Sequence, residues 1–292
     1  MASTVQYVVD AISVGSIYGL MALALALLFG VMRLMNFAYG ELIMVGGYTM
    51  FVLRDYPWPL LVLGTLVVVT AVSLLTERLA FRPVRTGSPA TLLITSFTVS
   101  VMLQNLARMT VGPIPKGVRP WDFLTQMQVV GGVQISRLDI LTAFTTVILL
   151  IGMVLLLGKT MLGIQLRAST EDFQMARLVG VRANAVLASA FAITGLLAAV
   201  AALLLVAREG AVSPTMGTGP LLIAFVGAVI GGMGSLTGAA IGGFALGVVS
   251  TFLDAALPVG VAPFRDAFVF TAVIAILVIR PQGLIAAQST RV

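Results

Sequence analysis

KTMLGIQLRASTEDFQMARLVGVRANA, Lys159–Ala185, is a charged stretch set between two long apolar runs. It carries Lys159, Arg167, Glu171, Asp172, Arg177 and Arg182. Ser169 followed three residues later by Asp172 fits a capping box, and Gly180 stands where a left-handed C-terminal cap belongs. The spacing predicts a short helix over 170–180. Phe173, Ala176 and Val179 share one face of it, while Glu171, Asp172 and Arg177 form a charged rim. Connectors are usually short. A capped, charged helix between two apolar segments therefore reads as a docking surface, with a plain solvated connector as the alternative.

Working outward, the composition supplies the setting. Apolar residues make up 59% of the 292 and charged residues only 10%; mean hydropathy is +1.10. A soluble domain carries about a quarter charged residues, so the chain reads as an all-α polytopic membrane protein. It has no Cys and no His. That excludes a disulfide framework, Cys/His zinc sites, His-ligated haem and Cys- or His-based catalytic dyads. The formal charge of +6 fits membrane orientation better than nucleic acid, since no Lys/Arg run is interleaved with aromatics.

About 20 apolar residues cross the roughly 30 Å of bilayer hydrocarbon. The candidate spans are Val5–Val31, Leu34–Leu53, Trp58–Thr76, Ala90–Ala107, Ile140–Leu157, Val186–Ala207, Leu221–Gly232, Leu236–Leu253 and Ala267–Ile279. The seventh is too short to cross alone, and the run from Gly231 to Ser235 breaks an otherwise over-long segment. Eight or nine transmembrane or re-entrant helices result, in one membrane domain over 1–292. Val5–Val31 reads as a retained first span rather than a cleavable leader. Arg78, Arg82 and Arg85 lie two spans from the 159–185 loop, so both are expected on the cytoplasmic face, with the N-terminus outside. Thr110–Arg137, with Pro113, Pro115 and Pro120, is expected to be an irregular external loop.

Three further stretches stand out. Asn36, Tyr39 and Glu41 follow Arg33 closely after the first span, and Gln104 and Asn105 end another apolar run. Ionisable groups are costly in hydrocarbon and mark cavities, pairings or interfaces. A turn at the membrane surface, or hydrogen bonding between helices, is the plainer account. These five residues are the candidates for a translocation path or its gating helices. Gly231, Gly232, Gly234, Gly238 and Gly242 form the third stretch. Its four-residue spacings put small residues on one helix face, where another backbone can approach closely. No GxxxxGK[ST] occurs, so the chain has no phosphate-binding loop of that type.

Several ordered motifs together resemble the branched-chain amino acid ABC permeases, the LIV-type family. They are Ser16-Ile17-Tyr18-Gly19-Leu20, Phe29 through Arg33, Asn36 through Glu41, Leu162-Gly163, Ala176 through Val181, Pro214 through Gly217, Gly231 through Ala239 and Arg280 through Leu284. The resemblance runs from about Ser13 to Leu284 and is specific to the family rather than to one substrate. Two departures occur: Tyr39 stands where the family often has His, and Ser169-Thr170-Glu171-Asp172 replaces a more Ala-rich run. The resemblance implies an ABC importer permease bundle in the bacterial inner membrane that moves branched-chain or related amino acids by alternating access. It implies a second permease (homologous, or another copy), two cytoplasmic ATPase subunits, a periplasmic binding protein and contact with membrane lipid. ATP and magnesium would bind the ATPases; this chain would be no enzyme and would carry no cofactor. The loop 159–185 would be its coupling loop, with Ser169, Glu171, Asp172, Phe173, Ala176, Arg177 and Gly180 at the ATPase contact. Two rival classes remain. An ion-coupled secondary transporter needs ionisable groups in mid-span, and an integral membrane transferase needs a catalytic His or paired carboxylates.

Overall fold

The computed structural model describes residues 2–32, 36–85, 87–119, 121, 124, 126–130, 133–171, 175–176, 182–232, 235–258, 260–261 and 264–279. In chain order come α1 (Ala2–Met32), α2 (Tyr39–Val52), α3 (Trp58–Thr76), a π-helical turn (Glu77–Phe81), α4 (Arg82–Val84) and α5 (Pro89–Thr110). Strands β1 (Lys116–Gly117), β2 (Met127–Val130) and β3 (Val133–Ser136) precede α6 (Arg137–Lys159), α7 (Met161–Glu171) and α8 (Ala183–Glu209). The chain continues through β4 (Ala211–Val212), α9 (Thr218–Gly231), α10 (Leu236–Ala256) and α11 (Arg265–Ile279).

Among the described residues, six helical segments are long and apolar enough to cross a membrane: Val5–Gly30, Trp58–Val84, Pro89–Thr110, Arg137–Lys159, Asn184–Glu209 and Leu236–Ala256. The fold is the all-α polytopic one expected. Leu63, Ile94 and Phe144 each expose 60% or more of their surface. Such apolar faces suit lipid, where they cost nothing.

Two expectations are corrected. The segment Leu34–Leu53 is not one full span: α2 has 14 residues, or about 21 Å of helix. Asn36 sets its start. The side-chain Oδ1 accepts from the Ala38 N–H at 3.0 Å, and the Asn36 carbonyl accepts from the Tyr39 N–H at 3.2 Å. Nor is Thr110–Arg137 wholly irregular, because β2 and β3 pair antiparallel with Met127 opposite Ser136 and Val130 opposite Val133. In sequence, Gly131-Gly132 between β-branched residues is a two-residue hairpin pattern.

The chain divides into two compact units, one drawn from residues 1–26, 123–151 and 222–292, the other from 27–122 and 152–221. In the first, glycines set the packing. α9 ends at Gly231, Gly232 takes the left-handed conformation (φ 94°), and Ser235 opens α10 by accepting from the Gly238 N–H at 3.1 Å. A side chain at Gly231 would overlap the Gly238 carbonyl, and one at Gly242 the Gly227 carbonyl. Another face of α10 meets α1: a Cβ on Gly247 would stand 2.5 Å from the Gly15 Cα, and one on Gly243 would stand 2.5 Å from the Ala22 Cβ. These helices touch backbone to backbone, the approach that small residues permit. Thr146 on α6 donates to the Ser16 carbonyl of α1 at 3.3 Å, and Arg265 of α11 pairs with Asp254 of α10 at 2.7 Å.

The second unit is built on α8, which packs against α2 and α3. Ala198, Ala199, Ala201 and Ala202 are all wholly buried, so neighbouring helices come close; a Cβ on Gly46 of α2 would reach 2.5 Å from that of Ala202. Ser73 of α3 donates to the Phe191 carbonyl at 2.6 Å, and the Phe81 and Phe191 rings lie 5.4 Å apart. α8 stops at Gly210, left-handed at φ 67°. There β4 pairs with β1, Lys116 opposite Val212, and ties the 110–119 segment to the end of α8.

Candidate functional site

Glu41, in the first turn of α2, is 1% exposed. Its Oε1 accepts from Ser100 Oγ at 2.9 Å and from Gln104 Nε2 at 2.8 Å. Both donors stand on α5, four residues apart and therefore on one helix face. Hydrogen bonds to a charged group are worth about 1.5–3 kcal/mol each, so this cluster joins α2 to α5. The second carboxylate oxygen, Oε2, is buried without a hydrogen-bond partner among the described residues. One turn further along α5, Arg108 reaches Gln104 Oε1 at 3.5 Å, too long for a strong bond.

One turn away from this cluster lies an open groove of about 410 Å³, lined from α2, α3, α5 and the residues that follow α2 and α5 by Met44, Tyr48, Val68, Leu103, Ala107, Val111 and their neighbours, and not by Glu41, Ser100 or Gln104. The wall is chiefly apolar. Thr49 and Thr110 line it too, but their hydroxyls donate back to the Val45 and Leu106 carbonyls of their own helices, each at 2.8 Å. The Tyr48 hydroxyl is buried with no partner among the described residues.

Of the five path candidates, the structure joins two, Glu41 and Gln104. Asn36 is buried as the start signal of α2. Tyr39 is fully buried, its hydroxyl unpartnered among the described residues. Asn105 is exposed and bonds its own helix through the Val101 carbonyl at 2.9 Å. Ser100 was not among the candidates. Its position four residues before Gln104 was the available signal, obscured by the Thr and Ser scattered along α5.

The expected docking helix is placed only in part. Asp172, Phe173, Arg177 and Gly180 lie outside the described residues. Ser169 is not a cap: it sits inside α7, its buried hydroxyl unpartnered among the described residues. The start signal stands nine residues earlier, where Thr160 Oγ1 accepts from the Gly163 N–H at 3.2 Å. Glu171 closes α7, and Ala176 is helical and buried. Arg85 donates to Asn184 Oδ1, so the basic stretch 78–85 and the end of the 159–185 segment meet at one end of this unit. Of the packing glycines, Gly231, Gly238 and Gly242 stand at the α9–α10 contact, Gly232 forms the break, and Gly234 lies outside the described residues.

The chain matches, over residues 7–279, the family described as the permease component of branched-chain amino acid transport systems. The high-affinity branched-chain amino acid transport system permease protein BraD of Pseudomonas aeruginosa is 33% identical over 294 residues, covering 96% of this chain and 95% of the relative. The permease protein LivH of Escherichia coli, of the same description, is 30% identical over 296 residues, 96% and 94% of the two chains. The probable branched-chain amino acid transport permease protein LivH of Methanocaldococcus jannaschii is 29% identical over 287 residues, 91% of this chain and 87% of the relative. With its membrane-length helices and near full-length similarity, this chain belongs to the permease components of branched-chain amino acid transport systems.

Proposed function

We propose that the chain is the membrane-spanning permease subunit of an ATP-driven importer in the cytoplasmic membrane, carrying a branched-chain or closely related small amino acid by alternating access. It works beside a second permease, homologous or identical, two ATPase subunits that bind ATP and magnesium, and a binding protein that delivers the solute. The chain itself contributes no cofactor and hydrolyses nothing. The observation that carries this reading is the family match over residues 7–279. The joined Arg85 and Asn184 support one shared cytoplasmic end for the 78–85 and 159–185 stretches. There 170–180 docks on an ATPase, with Phe173 as its apolar anchor and Glu171, Asp172 and Arg177 around it, while Ala176 is buried in the chain itself.

The test is reconstitution in liposomes with the partner ATPases and binding protein. Leucine should stimulate ATP hydrolysis and enter the vesicles only when ATP is supplied. Phe173→Asp should leave the permease in the membrane but release or uncouple the ATPase. A second reading, ion-coupled secondary transport, has one observation in its favour, the buried Glu41 carboxylate. Uptake by the permease alone, driven by an ion gradient, would establish it and overturn the first.

A further inference from the structure

Part of the second unit is polar and non-helical at a depth where hydrocarbon tolerates neither. α8 has 27 residues, about 40 Å of helix against roughly 30 Å of hydrocarbon. Both α2 and α8 run antiparallel to α3: Leu53 lies against Gly64 and Gly46 against Val69, while Ser73 and Arg85 reach Phe191 and Asn184. Gly46 also packs on Ala202. Ala202 stands about 10 Å short of Glu209, and Gly40 about 9 Å back along α2 from Gly46. Gly40 is therefore about 20 Å from either end of α8. However the surplus length is shared between those ends, about 10 Å or more of hydrocarbon lies on each side of it.

The chain returns to that level after α8. Val212 Cγ1 and Met216 Sδ stand 2.8 and 3.0 Å from where a Gly47 Cβ would be, and the Gly217 carbonyl oxygen 2.8 Å from where a Gly40 Cβ would be. Residues 213–217 form turns, and α9 opens only at Thr218. Val212, Pro214, Met216 and Gly217 are buried, whereas Thr215 and Thr218 are exposed. The Met216 and Thr218 N–H groups donate to the Ser213 and Thr215 carbonyls at 3.2 and 3.1 Å. The Thr215 and Gly217 N–H groups, and the hydroxyls of Thr215 and Thr218, have no partner among the described residues. Within regular helices the same hydroxyl is absorbed: Thr65 and Thr194 donate to carbonyls four residues back.

Irregular backbone at membrane depth is stable only where protein buries it or water reaches it. Buried side chains account for one face of this segment, and the other presents exposed hydroxyls. Lipid tails offer such groups nothing, and a covering helix brings a backbone already bonded to itself; water supplies donor and acceptor together. We infer that residues 213–219 line a water-filled passage, with Thr215 and Thr218 as its polar wall, and that the transported solute moves along it. The solute, though not the water, rests on the reading of the chain as a permease. No charged residue occurs between Glu209 and Asp254, so this wall exchanges hydrogen bonds with a solute and has no ion pair to hold it. Gly217 sets the line of the wall, because a side chain there would overlap the Gly40 carbonyl.

The chain has no cysteine, so single thiols report water directly: the thiolate is the reactive form, and apolar surroundings suppress it. In the full transporter complex in lipid nanodiscs, Thr215→Cys and Thr218→Cys should react with a charged, water-soluble methanethiosulfonate at least about tenfold faster than Val67→Cys. Val67, 66% exposed in the middle third of its span, is the lipid-facing standard. Should either threonine variant fail to assemble, Gly219→Cys replaces it, because a Cβ there meets no atom within 4 Å. In liposomes the adduct on Thr215→Cys should stop ATP-driven leucine uptake, and the adduct on Val67→Cys should not. Thiols in the segment that react no faster than Val67→Cys overturn the inference and mean that lipid or protein covers it. Fast reaction with uptake unimpaired also overturns it, since the water would then lie off the route. If those thiols are inert while the complex carries leucine, the inference fails and the permease reading stands. If they react while the unsubstituted complex carries no amino acid, the permease reading fails and the water-filled wall stands.

Discussion

Gly243→Ala tests the glycine packing of α10 against α1. A Cβ at Gly243 would stand 2.5 Å from the Ala22 Cβ, 2.6 Å from the Tyr18 carbonyl oxygen and 3.1 Å from the Gly19 Cα. Carbon–carbon contacts settle at about 3.5–4.0 Å, so the helices must part by about 1 Å. Two of the three obstructing atoms are backbone and cannot rotate aside, and the separation would loosen the neighbouring Gly15–Gly247 contact. Overpacking of this kind costs about 1–3 kcal/mol. The same substitution also brings the helix-propensity gain of Ala over Gly, about 0.8–1 kcal/mol. Gly152→Ala on α6 isolates that gain, because a Cβ there meets no atom within 4 Å. The propensity term cancels between the two variants, so Gly243→Ala should be the less stable by the overpacking term alone, about 1–3 kcal/mol. Equilibrium unfolding in mixed micelles, both variants side by side, measures this difference. If Gly243→Ala proves as stable as Gly152→Ala within about 0.5 kcal/mol, the backbone contact is not the constraint argued for it.

Thr160→Ala should weaken the start of α7 by about 1 kcal/mol, seen as faster amide exchange over 161–164, while Ser169→Ala should be neutral or mildly stabilising because it removes a buried hydroxyl that has no described partner. The reverse order would restore Ser169 as the cap. Gln104→Leu takes a donor from a buried carboxylate and should destabilise the unit by about 1.5–3 kcal/mol, whereas Asn105→Leu, exposed and bonded to its own helix, should stay within about 0.5 kcal/mol; the same unfolding assay ranks them. Arg177→Cys should resist an impermeant thiol reagent in intact cells and Ile114→Cys should react. Labelling of Arg177→Cys from outside would invert the proposed orientation.

The long apolar helices were legible because hydropathy over 20 residues is a bulk property that local detail barely disturbs. The break before Leu236 was legible for a different reason: Gly231 through Ser235 combines a left-handed position with a cap. What the sequence hid was pairing between distant residues. Nothing near Glu41 in the chain indicates that Ser100 and Gln104, about sixty residues on, will supply its donors. Ser169 misled through an ambiguity of type, since a Ser followed at three residues by an acid suits a helix start but also sits acceptably in a last turn. Thr160, flanked by Lys159 and Met161, lacks the acidic partner that would have marked it. The hairpin is masked in the sequence because Pro113, Pro115 and Pro120 just upstream mark 110–137 as irregular.

The π-helical turn at Glu77–Phe81 has a consequence for tolerance to insertions and deletions. A π turn amounts to one surplus residue accommodated within an α-helix. Each residue advances an α-helix by about 100°, and the wider turn absorbs that step, so Arg85 leaves the end of the span towards Asn184 at the azimuth a uniform α-helix one residue shorter would give it. An in-frame deletion of one codon among 78–80 would let the helix revert to uniform α geometry. The buried stripe of Leu61, Thr65, Val69 and Ser73 would keep its phase, and Arg85 would still face Asn184. The same deletion at Val67 would instead put Val69 and Ser73 out of phase with Leu61 and Thr65. Codon-deletion scanning along α3 and the turn that follows it should therefore find one permissive window at 78–80, and proteins that pass through it should be inserted and folded with the meeting of the 78–85 and 159–185 stretches kept.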